Sequence, residues 1–224
     1  MNLCLFDLDH TLLPLDSDHA WGKFVVSLGW ADGQRQSEIN DAFFLQYQRG
    51  TLDLDAYIEF ATRSWRERPV AEQDAAHARF MRECIAPAIR PEALALVDQH
   101  RRQGDLMAIV TATNEFVTRP IAAALGVDTL IAVELERDDC GRVTGRIHGV
   151  PSFREGKTVR VAQWLAGRGL GVQDFPRVTV YSDSPNDLPL LELATHPVAT
   201  NPSAALEAIA RQRGWPLLRL FPTP

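Results

Sequence analysis

Three apolar runs of this chain end in residues that could do chemistry. Leu3-Cys4-Leu5-Phe6 leads into Asp7 and then Asp9, Leu106 to Val110 into Thr111-Ala112-Thr113, and Arg177 to Tyr181 into Ser182-Asp183-Ser184-Pro185-Asn186-Asp187. Two carboxylates two residues apart repel each other unless positive charge lies beside them. The Asp7/Asp9 pair therefore fits a metal-assisted nucleophile with an acid/base partner, and equally a plain turn after a strand, where Asp is common.

The elements that must position these residues decide between the two. Short apolar runs of this kind read as buried strands. They alternate with helical patterns: Pro91 to Gly104, Glu115 to Leu125, Glu155 to Ala166 and Asp187 to Leu193. Further strands are expected at Thr129 to Val133 and around Pro197 to Ala199, with a hairpin over Glu134 to Ile147 turning at Asp139-Cys140-Gly141. Alternating strands and helices imply a parallel sheet covered on both faces. In such a sheet the C-terminal strand ends share one edge, where ligands bind. Asp7, Asp9, Thr111, Asp183 and Asp187 would meet there, and Lys157, at the start of its helix, is placed to point at the same edge. At ~4 Å and an effective dielectric of ~20, each like-charge pair of carboxylates costs about 4 kcal/mol. A divalent cation offsets that cost, and an all-oxygen ligand set suits magnesium rather than zinc.

Between the first strand and Pro91 no strand pattern occurs. Pro14 to Asp18 is a polar break, and Ser17 is a candidate cap for a helix through Trp21, Phe24, Val25 and Leu28. Apolar residues then recur at helical spacing through Phe43, Tyr47, Tyr57, Ile58 and Trp65, with breaks at Gly50 and Pro69. Residues 16–89 are expected to form an all-helical insert of four helices whose aromatic residues fill its own core. Apolar content of 46%, charged content of 23% and a net charge of −6 describe a globular protein for which a duplex nucleic acid is an unsuitable partner. No apolar run approaches the length that spans a bilayer, and no basic segment precedes Leu3 as in a signal peptide. Cys4, Cys84 and Cys140 are too scattered for a disulfide framework, and cytoplasmic residence is the expectation.

Asp7-Leu8-Asp9-His10-Thr11, Thr111 after a strand, Lys157, and Asp183-Ser184-Pro185-Asn186-Asp187, in that order, resemble the haloacid dehalogenase superfamily, in the subfamily that includes phosphoserine phosphatase. The resemblance covers essentially the whole chain. It implies an α/β fold, a Rossmann-like parallel-sheet core of residues 1–15 and 90–224 with an inserted all-helical cap of residues 16–89. It further implies a magnesium-dependent phosphomonoesterase acting on a small phosphorylated metabolite. Asp7 would be the nucleophile that forms an aspartyl-phosphate, and Asp9 the acid and base. Asp7, Asp183 and the Asp9 carbonyl would hold magnesium, while Thr111, the Ala112 amide and Lys157 would bind phosphoryl oxygens. Asp187 and Asn186 would support them from behind. The dehalogenases of the superfamily lack an acid at the place of Asp9, because a halide leaves without a proton. Ser182 stands where relatives usually have Gly, with a stiffer loop as the expected consequence.

In phosphoserine-type relatives a cap acid matching Asp16 holds the substrate amine and a cap arginine holds its carboxylate. Here Ala61 stands at the arginine's place, with Arg63 nearby. An anion for an amine without an arginine for a carboxylate favours an amino-alcohol phosphate, histidinol phosphate first and phosphoserine second. Transfer to an acceptor other than water, or a non-catalytic metabolite-binding regulator on the same fold, are the alternatives. Among the remaining signals, His10 reads as a loop or supporting residue and His19 as a surface histidine. Gly167-Arg168-Gly169-Leu170-Gly171 follows a helix and reads as its C-terminal turn, and Arg101-Arg102 as a solvated helix end. Residues 221–224 are expected to fray.

Overall fold

Strand β1 (Leu3–Phe6) has no exposed residue, which is why its sequence is continuously apolar rather than alternating. The computed structural model describes residues 1–221, so most of the tail expected to fray lies outside the described residues. Strand β1 lies in a six-stranded parallel sheet with β2 (Leu106–Asn114), β3 (Leu130–Val133), β6 (Val178–Ser182), β7 (His196–Thr200) and β8 (Leu217–Leu218). The spatial order is β3-β2-β1-β6-β7-β8. The chain winds outward one way from β1 through β3, then returns to pair β6 with β1, Leu3 facing Val178 and Phe6 facing Tyr181. The crevice outside the carboxyl ends of β1 and β6 is thus the topological switch point. Side chains alternate across the sheet: Cys4, Phe6 and Ile109 join the larger apolar cluster, and Leu3, Leu5, Ala108 and Val180 the other.

Helices cover both faces. The insert after β1 comprises α1 (Ser17–Ser27), α2 (Gly33–Arg49), α3 (Leu54–Arg63) and α4 (Val70–Phe80). A π-helical turn, Met81–Ile85, and a 3-10 turn then lead into α5 (Pro91–Arg102). The aromatic residues of the insert do not fill a separate core. Trp21 and Trp65 both pack on Phe116 of α6 (Glu115–Ala124), Trp65 stacking at 3.9 Å, so the insert shares its apolar interior with the sheet layer. Asp16, not Ser17, caps α1, accepting from the His19 amide at 2.8 Å. The Ser17 amide instead donates to Asp9 Oδ1 at 2.9 Å.

Strand β2 is longer than its apolar run. Thr111 to Thr113 stay extended, as β-branched residues favour. The strand ends at Asn114, whose side chain accepts from Val117 N and caps α6. The hairpin β4 (Leu135–Arg137) and β5 (Val143–Ile147) packs against α3. Its turn is held by Asp138, which accepts from the Cys140 and Arg142 amides at 2.9 Å. Helix α7 (Glu155–Ala166) ends at the Gly167 to Gly171 turn, α8 spans Leu188–Leu193 and α9 Ala204–Arg213. Helix α9 and β8 are additions to the expected pattern. No helix of the described residues is long and apolar enough to cross a membrane.

Candidate active site

Asp7 continues β1 by one residue, its amide donating to Tyr181 O at 2.9 Å, and so enters the crevice on a rigid strand end. Lys157, 2% exposed, donates to Asp7 Oδ1 and to Asp187 Oδ2, both at 2.8 Å. The turn that delivers this lysine requires Gly156. A Cβ there would lie 2.1 Å from the Pro151 carbonyl oxygen. Burial alone would depress the Lys157 pKa, but Asp187 and Asp7 outweigh it and hold the ammonium well above its ordinary range. Burial pushes Asp187 up despite the lysine beside it.

Asp187 has a second donor. The fully buried Ser182 hydroxyl donates to Asp187 Oδ2 at 2.8 Å and accepts from the Ser184 amide at 3.2 Å. A serine at this place therefore orients a carboxylate, which is more than the stiffer loop expected of it. Thr11, also fully buried, links the first and last motifs: its hydroxyl donates to Asp7 Oδ2 at 3.0 Å and accepts from the Asp183 amide at 3.1 Å. The Thr11 oxygen lies 3.5 Å from Asp183 Oδ1. Burial and the nearby Asp7 carboxylate raise the Asp183 pKa well above the usual carboxylate range.

Asp9 is held from two sides, by the Ser17 amide and by the Thr113 hydroxyl, which donates to Oδ2 at 2.7 Å. Burial, then the Asp16 carboxylate, lift its pKa to about 6. Thr111 is buried and its hydroxyl oxygen accepts from the Thr113 amide at 3.1 Å, which leaves its proton to donate elsewhere. Asn186 does not reach the lysine network. Its amide donates to Tyr47 O at 3.2 Å and ties this loop to α2.

Asp7, Asp9, Thr111, Thr113 and Asp183 open into one cavity, about 740 Å³ when the open solvent at its mouth is included. Asp7, Thr111, Ala112 and Asp183 line the floor, and Asp9 stands beside them. Phe43, Phe44 and Tyr47 of α2 and Tyr57 of α3 form apolar walls, and Asp16 and Asp18 face in from the start of α1. His19 also lines the cavity, its Nδ1 2.6 Å from Asn40 Nδ2, rather than sitting on an open surface. His10 lines the mouth in a left-handed conformation, φ 58°, and its carbonyl accepts from Asn201 at 3.0 Å. Among the described residues, no lysine or arginine lines this cavity. Arg63 is directed away, exposed and paired with Glu59 at 3.1 Å. Sequence reasoning gives no such role to Thr11, Asp18, Thr113 or Ser182. For three of them the available signal is a hydroxyl inside or next to a motif: Thr11 two residues after Asp9, Thr113 two after Thr111, and Ser182 just before Asp183.

The parallel sheet, its switch point and the ordered motifs define a hydrolase of the haloacid dehalogenase type. A family model described as haloacid dehalogenase-like hydrolase matches residues 4–192, and the chain belongs to this family. Among its relatives is a histidinol-phosphatase of Neisseria meningitidis serogroup C (strain 8013), 42% identical over 217 residues, covering 97% of this chain and 98% of that one. A solved protein of unknown function from Bordetella pertussis Tohama I is 51% identical with a TM-score of 0.92, covering 98% and 99% of the two chains. A substrate-bound phosphoserine phosphatase, 17% identical, shares the fold with a TM-score of 0.68 over 97% and 92%. The enzyme is a phosphatase, a phosphoric monoester hydrolase.

Proposed function

We propose that this phosphatase works through an aspartyl-phosphate on a small amine-bearing phosphate ester, histidinol phosphate foremost and phosphoserine second. An Asp7 carboxylate oxygen attacks phosphorus, the P–O bond to the alcohol breaks, and Asp9 delivers its proton to the departing alkoxide. Asp9 then removes a proton from water, which attacks the phosphoryl group and releases phosphate with Asp7 restored. A pKa of about 6 suits a group that must give a proton and then take one. Lys157, the Thr111 hydroxyl and the Ala112 amide offset the charge of the phosphoryl oxygens, the larger part of catalysis in phosphoryl transfer.

The donor set fits magnesium. Among the described residues no three His, Cys, Asp or Glu side chains are grouped as metal ligands. Asp7 and Asp183 would supply two carboxylates and the Asp9 carbonyl a third oxygen; Thr11 holds the first two residues together, donating to the Asp7 carboxylate and accepting from the Asp183 amide. Magnesium is ordinarily bound by one or two carboxylates, the rest being water and substrate phosphate. Asp183, half-buried and without a cationic partner among the described salt bridges, is the group that most calls for such an ion. When bound, the ion neutralises charge on the phosphoryl group. Residues 16–89 act as the cap over the site, and their closure excludes bulk water from the intermediate. The scattered, unpaired cysteines accord with a cytoplasmic setting.

The lining of the cavity carries the substrate reading. Asp16 and Asp18 face in, and among the described residues neither Arg63 nor any other lysine or arginine lines the cavity to receive a carboxylate. The 42% identical histidinol-phosphatase supports the same order. Steady-state rates on histidinol phosphate and phosphoserine, with magnesium present, test it: kcat/KM should be higher for histidinol phosphate. Faster turnover of phosphoserine would reverse the assignment.

A further inference from the structure

Asp18 is buried, 6% exposed, yet it lines the catalytic cavity. Three separate elements build its setting. It sits on the first turn of α1. Tyr57 of α3 donates its hydroxyl to Oδ2 at 2.8 Å, and Asn114 at the end of β2 donates Nδ2 to Oδ1 at 3.3 Å. The Asn114 amide has one orientation available, because its own Oδ1 accepts from Val117 N as the cap of α6. A carboxylate has about four acceptor positions, so two fixed donors aim the group and leave it capacity for another. Burial, then the Asp16 carboxylate, push its pKa up to about 7.

The surroundings identify what would fill that capacity. Asp9, Asp16 and Asp18 line one cavity without a lining lysine or arginine among the described residues. Flat aromatic side chains line the same cavity, Phe43 and Tyr57 meeting edge to face at 5.3 Å. Carboxylates among aromatic faces favour an organic nitrogen group over a hydrated metal ion. Asp16 is the more open of the two wall acids, and its Oδ1 is engaged with the His19 amide.

We propose that Asp18 is a specificity residue that accepts an N–H from a second nitrogen group of the substrate alcohol, deeper in the cavity than the amine met by Asp16. The proposal rests on the phosphatase reading above and narrows it to esters whose alcohol carries two nitrogen functions, one of them planar. Asp18 takes no part in moving the phosphoryl group.

The test compares kcat/KM, with magnesium, on three esters: histidinol phosphate (amine and imidazole), phosphoethanolamine (amine alone) and p-nitrophenyl phosphate (neither). Asp18→Asn should lower the ratio of histidinol phosphate to phosphoethanolamine by about 10-fold or more. The ratio of phosphoethanolamine to p-nitrophenyl phosphate should change far less. Tyr57→Phe keeps the carboxylate but loosens its aim, and should shift the first ratio in the same direction by a smaller factor. Equal loss on all three esters would make Asp18 a structural residue and overturn the proposal. Should Asp18→Asn fail to fold, an unchanged ratio in Tyr57→Phe overturns it instead. A wild-type enzyme that hydrolyses all three without preferring the two-nitrogen ester defeats this inference and leaves the phosphatase reading standing. One that hydrolyses none defeats both.

Discussion

At the floor of the cavity Asp7 takes a hydrogen bond from Lys157, which is buried behind it with Asp187, whereas Asp16 and Asp18 on the walls have no lysine or arginine beside them among the described lining residues. The floor is anchored on strand ends and on the first turn of α7; Asp7 and Asp187 share the one Lys157 ammonium, and Asp183 has no cationic partner among the described salt bridges. The walls come from the helical insert, and their charges are left to be matched by what enters. Compensated charge supports a reaction common to many esters. On the proposed reading, uncompensated charge sets which ester binds, because an ester without the matching nitrogen group leaves a buried carboxylate without its counter-charge.

Breaking the floor should have the largest effects. Asp7→Asn removes the proposed nucleophile but keeps its shape, and Lys157 retains Asp187. Turnover should fall by roughly 10⁴-fold or more on every ester, with little change in thermal unfolding. Lys157→Met should abolish turnover as well, but it leaves Asp7 and Asp187 facing each other without their cation. Removing one partner of a buried pair costs about 3–5 kcal/mol, so unfolding should shift clearly in this variant and not in Asp7→Asn. Comparable melting curves for the two would mean that Lys157 is not what stabilises the buried carboxylates.

Asp9 lies between floor and walls, and its effect should depend on the ester. In the proposed role of acid it must be protonated when the alkoxide leaves. Because burial and Asp16 raise its pKa to about 6, kcat/KM on an alkyl ester should be highest below that value and decline as pH rises through it. For p-nitrophenyl phosphate, whose leaving group needs no proton, the decline should be absent. Asp9→Asn should cost alkyl esters roughly 10²–10⁴-fold and p-nitrophenyl phosphate less, with phosphoenzyme accumulating in the second case. Equal pH profiles for the two esters would remove Asp9 from the acid role.

The floor was the more legible region in sequence. Asp7, Asp183 and Lys157 stand beside strand ends or helix starts that apolar periodicity marks clearly, and a parallel sheet brings such ends together by topology. The walls were harder to read. Asp18 looks like an ordinary acidic residue in the first turn of a helix, where the dipole favours it, and its partners Tyr57 and Asn114 are 39 and 96 residues away. Asp16 and Ser17 both have capping side chains, so which of them capped α1 depended on Asp9 claiming the Ser17 amide. The two-residue β8 has no periodicity to detect. Helix α9, by contrast, carried its own signals, Ser203 before it and Gly214 after it in the left-handed conformation.

The smallest expected effect sharpens the comparison from the floor side. Ser182 is the one donor to Asp187 that relatives with Gly at this place cannot supply. Ser182→Ala removes the hydroxyl and leaves Asp187 to Lys157 alone, and the Ser184 amide loses its acceptor. A hydrogen bond to a charged group is worth about 1.5–3 kcal/mol, part of which Lys157 recovers by drawing the carboxylate closer. The melting temperature should fall by about 3–6 °C for a chain of this size. The loss in kcat/KM should be a few-fold and equal on all esters, because Asp187 touches the lysine and not the alcohol. A change in ester preference would place Ser182 among the wall residues, and an unchanged melting temperature would show that Lys157 orients Asp187 unaided.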